Sequence, residues 1–189
     1  MPIEIGQKKE SDFSNPLGLL GDCHRRIERF LGVLVSLSER ANGGPMPAEQ
    51  RVSLETALAY FRNSAPKHTA DEEDSLFPRL RASEQAGTVI DCLTRLEGDH
   101  QVAERDHRSV DELGMRWLSA GSLDGSDVIL LHDALTRLAG LYARHIAIED
   151  QELFPLAGRI LAADQLAEVG REMANRRGVS ASASSRVTK

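Results

Sequence analysis

Residues 67–78 have the sequence KHTADEEDSLFP, and residues 144–155 have the sequence RHIAIEDQELFP. The two stretches share the pattern H-x-x-x-E-[ED]-x-x-L-F-P, in which a glutamate follows a histidine by four residues. Four residues are about one turn of an α-helix, so each histidine and its glutamate project from the same helix face. The pairs are His68 with Glu72 and His145 with Glu149. Two such pairs on separate helices can chelate one site.

The residues around these stretches predict an all-α fold. Helix formers recur throughout, whereas aromatic residues make up only 4% of the chain and strand formers are scarce. Asn15 and Pro16 predict the start of the first helix, and Ser126 or Asp127 is predicted to cap the fourth. The predicted helices span about 16–40, 48–81 with a kink at Pro66, 88–119, 126–160 and 164–177. They indicate an up-down-up-down antiparallel four-helix bundle with a short fifth C-terminal helix.

The length of 189 residues suits a single domain. We predict a flexible arm over residues 1–13, the helical bundle over 14–177, and a disordered tail over 178–189, which is rich in Ser and Ala. Cys23 and Cys92 are interpreted as packing residues, because neither belongs to a C-x-x-C pair.

The formal net charge of −6 argues against a nucleic-acid partner. No apolar run approaches the ~20 residues of a membrane span, and the first residues do not form a signal peptide. We therefore expect a protein of the cytoplasm with no membrane and no nucleic-acid partner.

Each of the four long predicted helices carries an apolar stripe that a histidine interrupts: His24, His68, His100 and His145. One such histidine is usually a hydrogen-bonded core residue. We place turns near residues 44, 84 and 122. His24 lies 20 residues before the first turn, and His68 lies 24 residues after it. His68 and His100 are each 16 residues from the second turn, and His100 and His145 lie 22 residues before and 23 residues after the third. At ~1.5 Å per residue, all four reach nearly the same level of the bundle. Ionised glutamates on the same buried stripes are costly unless something neutralises their charge.

The types of donor atom limit which metals the site can bind. Imidazole with carboxylate at a two-metal site suits iron or manganese, whereas structural zinc usually has thiolate ligands, although the donors alone also admit zinc. A ferritin-like plan needs Glu-x-x-His on two helices. Here both copies of that spacing, Glu97 to His100 and Glu104 to His107, lie on one helix, so we reject that plan.

Four polar residues near these positions are given weaker roles. His107 and Tyr142 lie one turn from Glu104 and His145, respectively. We interpret both as core residues, with a role beside the site as the alternative. Glu73 and Asp150 point away from their own histidines, so they are interpreted as acids behind the ligands or on the surface.

At this point the sequence resembles the hemerythrin-like, or HHE cation-binding, family. Its signature is a histidine on helix 1, H-x-x-x-E on helix 2, a histidine on helix 3 and H-x-x-x-E on helix 4, and the resemblance covers about residues 16–160. It implies two iron ions bridged by Glu72 and Glu149. The resemblance further implies that His24 and His68 bind one iron, and that His100 and His145 bind the other.

Glu104 departs from the family pattern, because oxygen-carrying hemerythrins have a second helix-3 histidine at that place. We include Glu104 among the predicted metal ligands. A carboxylate there should favour the ferric state and weaken reversible carriage of dioxygen.

The resemblance implies a non-heme diiron protein that binds or reacts with dioxygen, peroxide, nitric oxide or iron, in sensing or stress protection. The alternative is a diiron enzyme with catalase-like or peroxidase-like turnover. A third hypothesis, an interaction bundle without metal, conflicts with the cost of unpaired buried charge. The expected partner is a small diatomic or peroxide ligand, and neither an electron donor nor an oligomeric state is predicted.

Overall fold

The computed structural model describes residues 10–179, and this part of the chain consists of helices joined by short loops, without a β-strand. The α-helices are α1 (Pro16–Ala41), α2 (Ala48–Asn63), α3 (Ala65–Asp71), α4 (Phe77–Arg81), α5 (Ala86–Ala120), α6 (Gly125–Ile148), α7 (Phe154–Ile160) and α8 (Ala163–Arg176). The all-α prediction and its short C-terminal helix are confirmed. Within residues 10–179, no helix combines the length and apolar character that crossing a membrane requires.

Four rods make the bundle. They are α1, the segments from α2 to α4, α5, and the segments α6 and α7. The rod of α1 contacts α2 and α6, and α5 contacts the same two neighbours. Short connections between successive rods turn the chain back on itself, so neighbouring rods run antiparallel, as the sequence predicts.

The helix ends follow local chemistry. The Asn15 side chain accepts a hydrogen bond from the Gly18 N–H at 3.2 Å and caps α1, as predicted. The prediction that Ser126 or Asp127 caps the fourth rod is wrong. Asp124 is the cap, and its carboxylate accepts the Asp127 N–H at 2.9 Å.

Two wide π turns interrupt rods that were predicted as continuous helices. They span Glu72–Leu76 and Glu149–Leu153. In the first, the Phe77 N–H bonds to the Glu72 carbonyl, five residues earlier. The L-F-P sequence gives a reason: proline has no N–H and crowds the carbonyl four residues before it, so an α-helical ladder cannot continue through it. The predicted kink at Pro66 is confirmed, because α2 ends at Asn63 and α3 begins at Ala65.

The apolar core has two clusters, one on each side of the histidines. Leu20, Phe77 and Leu96 belong to one cluster, whereas Ile27 and Phe61 belong to the other. The polar side chains between these clusters are therefore separated from water at both ends of the bundle.

The segment before α1 rests on the bundle. The Ser11 N–H donates to Asp22 Oδ2 at 2.6 Å, and a Cβ added to Gly170 would lie 2.0 Å from the Phe13 carbonyl oxygen. Residues 10–13 of the predicted arm thus contact the helices. The rest of that arm, and residues 180–189 of the predicted tail, lie outside the described residues.

Candidate metal centre

Six of the seven predicted ligands converge at one level of the bundle. They form two groups: His24, His68, Glu72 and Glu149 in one, and His100, His145, Glu72 and Glu149 in the other. Within each group, one donor atom from every residue lies within 4.8 Å of the others. Both groups contain the same two carboxylates. Two donor sets that share carboxylates can hold two cations with the carboxylates between them.

The helices position these donors as the spacing predicts. His68 and His145 lie in the last turns of α3 and α6, and each π turn begins at the glutamate of the pair. The ring centroids of His24 and His68 are 4.9 Å apart, and those of His100 and His145 are 4.7 Å apart. The prediction that the four histidines share one level is confirmed.

Glu72 faces both groups. Its Oε1 lies 3.2 Å from His68 Nε2 and 3.8 Å from His24 Nε2. Its Oε2 lies 3.3 Å from His100 Nε2. The two oxygens of one carboxylate therefore point at different histidine sets, as a bridging ligand requires.

Glu149 also lies between the two groups. Its Oε2 is 3.1 Å from His24 Nε2 and 3.1 Å from His145 Nε2. These two histidines come from α1 and α6, respectively. One oxygen of Glu149 thus joins the histidine set of each group.

The glutamates are buried without conventional partners. Both side chains are 0% exposed, and all four of their carboxylate oxygens lack a hydrogen-bond partner. An unpaired buried carboxylate costs several kcal/mol. A multiply charged cation among these oxygens would remove that cost, so the residues present fit a metal centre.

The pKa of the histidines reflects the same negative charge. Burial alone would lower the pKa of His24, but the neighbouring carboxylates of Asp150, Glu149 and Glu72 raise it to about 12. Burial likewise opposes the charged form of His100, and Glu72 and Glu73 raise its pKa to about 9. Burial lowers the pKa of His68. The negative pocket attracts positive charge, which protons or metal ions can supply.

Carboxylates outside the six hydrogen-bond to the rings of His24 and His100 from behind, and a third carboxylate lies near the His145 ring without a hydrogen bond. The Nδ1 atoms of His24, His100 and His145 face Asp150 Oδ1 at 2.8 Å, Glu73 Oε1 at 2.7 Å and Asp99 Oδ2 at 3.5 Å. An N–H at Nδ1 that faces a carboxylate leaves Nε2 bare towards the centre, which is the tautomer a metal needs.

From the sequence, Glu73 and Asp150 were expected either behind the ligands or on the surface. Glu73 and Asp150 lie behind histidines of other rods, which was one of the two alternatives for them. In each copy of the repeat, the acid that follows the glutamate thus forms a hydrogen bond with a histidine on another rod. Asp99 was missed, although its place directly before His100 is a signal that could have identified it.

Glu104 does not join the centre. Its side chain is 74% exposed, and its Oε1 lies 3.1 Å from Arg108 Nη2 on the same helix. The rotation of α5 in the bundle turns Ala103, which is 4% exposed, towards the interior and Glu104 towards solvent. We therefore remove Glu104 from the ligand set, and the expected effect of its charge on the ferric state loses its structural basis.

The donor chemistry favours iron or manganese over zinc. The six residues offer imidazole nitrogen and carboxylate oxygen, a set typical of non-heme iron. Cys23 and Cys92 are free thiols outside both donor groups. Burial raises the pKa of both thiols, which favours their neutral form.

A cavity of about 240 Å³ adjoins the centre. The four ligand histidines line it, together with the apolar residues Ile27, Phe61, Ala65, Ala103 and Ile146. Pro66, Gln101 and Glu104 also line it and are exposed, so the cavity reaches the surface. Its volume lies below the ~300–1,000 Å³ of pockets for organic ligands. The cavity therefore suits a small molecule.

His107 and Tyr142 line the same cavity and contact each other. His107 Nε2 lies 2.9 Å from the Tyr142 hydroxyl oxygen, and the His107 ring stacks on Phe61 at 4.2 Å between centroids. Burial lowers the pKa of His107 to about 4. Burial also raises the pKa of Tyr142. Both side chains are therefore neutral at pH 7.

Comparison with known proteins gives a family match. The family model described as "Hemerythrin HHE cation binding domain" matches residues 15–157, a range that contains all six converging residues. A Haemophilus influenzae protein named "Uncharacterized protein" is 30% identical to this chain over 168 residues, which cover 88% of this chain and 92% of that protein.

Proposed function

This chain belongs to the hemerythrin HHE cation-binding family, and on that premise we propose that it is a non-heme diiron protein. It binds or reacts with small oxygen species, namely dioxygen, peroxide or nitric oxide, or with iron itself, in sensing or stress protection. One observation carries this proposal: two donor sets share Glu72 and Glu149, whose buried oxygens lack hydrogen-bond partners.

The proposed ligands divide between two iron ions. His24 and His68 would hold one iron, His100 and His145 would hold the other, and Glu72 and Glu149 would be shared by both. Manganese or zinc is the less favoured occupant. When bound, the metal pair supplies Lewis-acid and redox chemistry to a small ligand.

The chain itself supplies orientation and a shielded pocket. Asp150 and Glu73 hydrogen-bond to the rings of His24 and His100, so the Nε2 atoms of these two histidines stay aimed at the centre. Apolar clusters close the bundle above and below the centre, and the cavity admits a small ligand from the surface. These features support a protein that receives a small oxygen species beside its metal ions.

Iron-loaded protein tests the proposal. We expect two iron ions per chain by elemental analysis and a charge-transfer absorption band. Spectra recorded with and without air, and during titration with peroxide and with nitric oxide, should then identify the ligand. Protein that binds no metal and shows no such band would contradict the proposal.

A diiron enzyme with catalase-like or peroxidase-like activity is the second candidate. The opening of the cavity to the surface favours it, because substrate and product can exchange there. Steady consumption of peroxide that is lost in His68→Ala or Glu149→Ala would support the enzyme. Stoichiometric gas binding without turnover would support the binding or sensing protein. The cytoplasmic location stays a prediction, which cell fractionation can test.

A further inference from the structure

A polar pair in the cavity has no part in holding metal. His107 on α5 and Tyr142 on α6 line the cavity together with the four ligand histidines. Tyr142 lies three residues before His145, and the ring centroids of these two residues are 6.5 Å apart. The phenol is thus one helical turn from the centre, on the same face of α6.

The hydrogen bond between the two side chains leaves the phenol hydrogen free. His107 Nδ1 is buried without a hydrogen-bond partner, whereas Nε2 lies 2.9 Å from the Tyr142 oxygen. A hydrogen on Nδ1 would create a buried, unpaired N–H group, which is costlier than a bare acceptor nitrogen. We therefore assign the hydrogen to Nε2, which donates to the Tyr142 oxygen. The phenol O–H can then donate to another acceptor.

We propose that Tyr142 donates a hydrogen bond to a small anion or oxygen species bound in the cavity, and that His107 positions its phenol. The wall of the cavity indicates the class of ligand. A small species with lone pairs can accept a hydrogen bond from the phenol O–H while the same species faces the metal centre. The pair thus selects ligands that accept a hydrogen bond over ligands that do not. This inference rests on the proposed function, because the ligand needs the metal ions.

Azide binding to iron-loaded protein tests Tyr142. We expect Tyr142→Phe to weaken azide binding by about 10- to 100-fold, since a hydrogen bond to a charged group is lost. Tyr60→Phe is the matched control, because Tyr60 stacks on Phe30 at 4.4 Å and does not line the cavity. Its azide affinity should equal that of the unaltered protein.

A vibrational measurement detects the hydrogen bond itself. In the unaltered protein, the azide stretching band should shift when H₂O is replaced by D₂O, and this shift should be absent in Tyr142→Phe. A band that does not shift in the unaltered protein would overturn the inference, even if the variant failed to fold. Equal azide affinity in Tyr142→Phe would overturn it as well.

His107 needs a separate comparison. His107→Leu removes the donor to the phenol and should weaken azide binding, whereas His107→Gln keeps an N–H group and should restore most of the affinity. Equal losses in both variants would contradict the positioning role. Iron content separates the two proposals: chains without iron overturn the proposed function and this inference together, whereas chains with two irons and no azide binding overturn the inference alone.

Discussion

The carboxylate charges of Glu72 and Glu149 decide whether the metal centre can form. Each side chain is 0% exposed and lies within 3.3 Å of histidine nitrogens from more than one rod. Removing the charge leaves the shape of the side chain almost unchanged. Substitution by glutamine therefore separates charge from packing at these positions.

We expect Glu149→Gln to reduce bound iron from two ions per chain to one or none, because a neutral amide neither bridges nor balances two cations. Elemental analysis of protein loaded with iron measures this. Glu104→Gln is the matched control, because Glu104 is 74% exposed and pairs with Arg108. It should keep both ions, and loss of iron in that variant would return Glu104 to the ligand set.

The acids behind the histidines should tune metal affinity. Asp150→Asn weakens the hold on the His24 ring, whose Nδ1 lies 2.8 Å from Asp150. We expect metal affinity to fall by about 10- to 100-fold, as measured by competition with a chelator. Glu152→Gln, an exposed change in the same π turn, should have no effect. Unchanged affinity in Asp150→Asn would argue against a supporting role.

His107 should make stability depend on pH. Burial lowers its pKa to about 4 in the folded protein, below the ordinary histidine value of 6.5. Between these values the unfolded chain binds a proton that the folded chain does not, so stability is complete above pH 6.5 and falls as the pH approaches 4. The loss attributable to His107 is up to about 3 kcal/mol.

Urea unfolding of metal-free protein between pH 7 and pH 4.5 tests this contribution. The unaltered protein should lose more free energy of unfolding than His107→Gln over that range. Equal losses in the two proteins would show that His107 does not titrate as a buried group.

At the scale of helices, a π turn lies within each copy of the repeated motif and carries its glutamate to the centre. Both turns begin at a glutamate that belongs to both donor groups and end just before a phenylalanine and a proline. In the first of these turns, the buried Glu72 points towards the centre, and the partly exposed Glu73 points towards His100. The proline that forces the wide turn therefore also affects the metal site.

Ion pairs join helix α8 to the rod that carries Glu72. Asp71 is 0% exposed, and its carboxylate binds the guanidinium groups of Arg176 at 2.9 Å and Arg177 at 2.6 Å. Arg176 also donates to the Ser75 hydroxyl at 2.8 Å. Sequence spacing does not indicate these ion pairs, because Asp71 lies more than 100 residues from Arg176 and Arg177.

Replacing both arginines with glutamine should destabilise the fold by about 3–5 kcal/mol, since the buried Asp71 carboxylate would lose its countercharges. Chemical unfolding measures the change, and iron affinity should fall with it. Arg171→Gln on the same helix is the control, because Arg171 is 55% exposed and pairs with the exposed Glu168. A double variant as stable as this control would refute this role of the ion pairs.

On the scale of the whole molecule, metal ions would join all four rods of the bundle. The six ligands come from α1, α3 with its π turn, α5 and α6 with its π turn. Binding to the folded chain alone stabilises it by about 2.7 kcal/mol per ion at a free-metal concentration of 100 Kd. For a chain of this size, two ions should raise Tm by roughly 10–20 °C.

Calorimetry of iron-loaded protein before and after chelation measures this shift. The double variant Glu72→Gln with Glu149→Gln should show no dependence on chelator. An unaltered protein whose Tm does not change on chelation would contradict a structural contribution of the metal ions.

The amino-acid sequence by itself determined the helices, their order and the level at which the six converging residues meet. These depend on local quantities, namely the 3.6-residue period, the caps and the number of residues between turns. Even the supporting acids Glu73 and Asp150 were within reach, because they repeat at one place in the motif.

Only the tertiary structure decided which neighbours of these residues face the centre. It excluded Glu104, added Asp99, widened the turns at Glu72 and Glu149, and joined Asp71 to two distant arginines. Each of these outcomes depends on the rotation of one rod against another, to within a fraction of a turn. Sequence spacing gives the height of a side chain along its helix, but packing between rods fixes the direction in which it points.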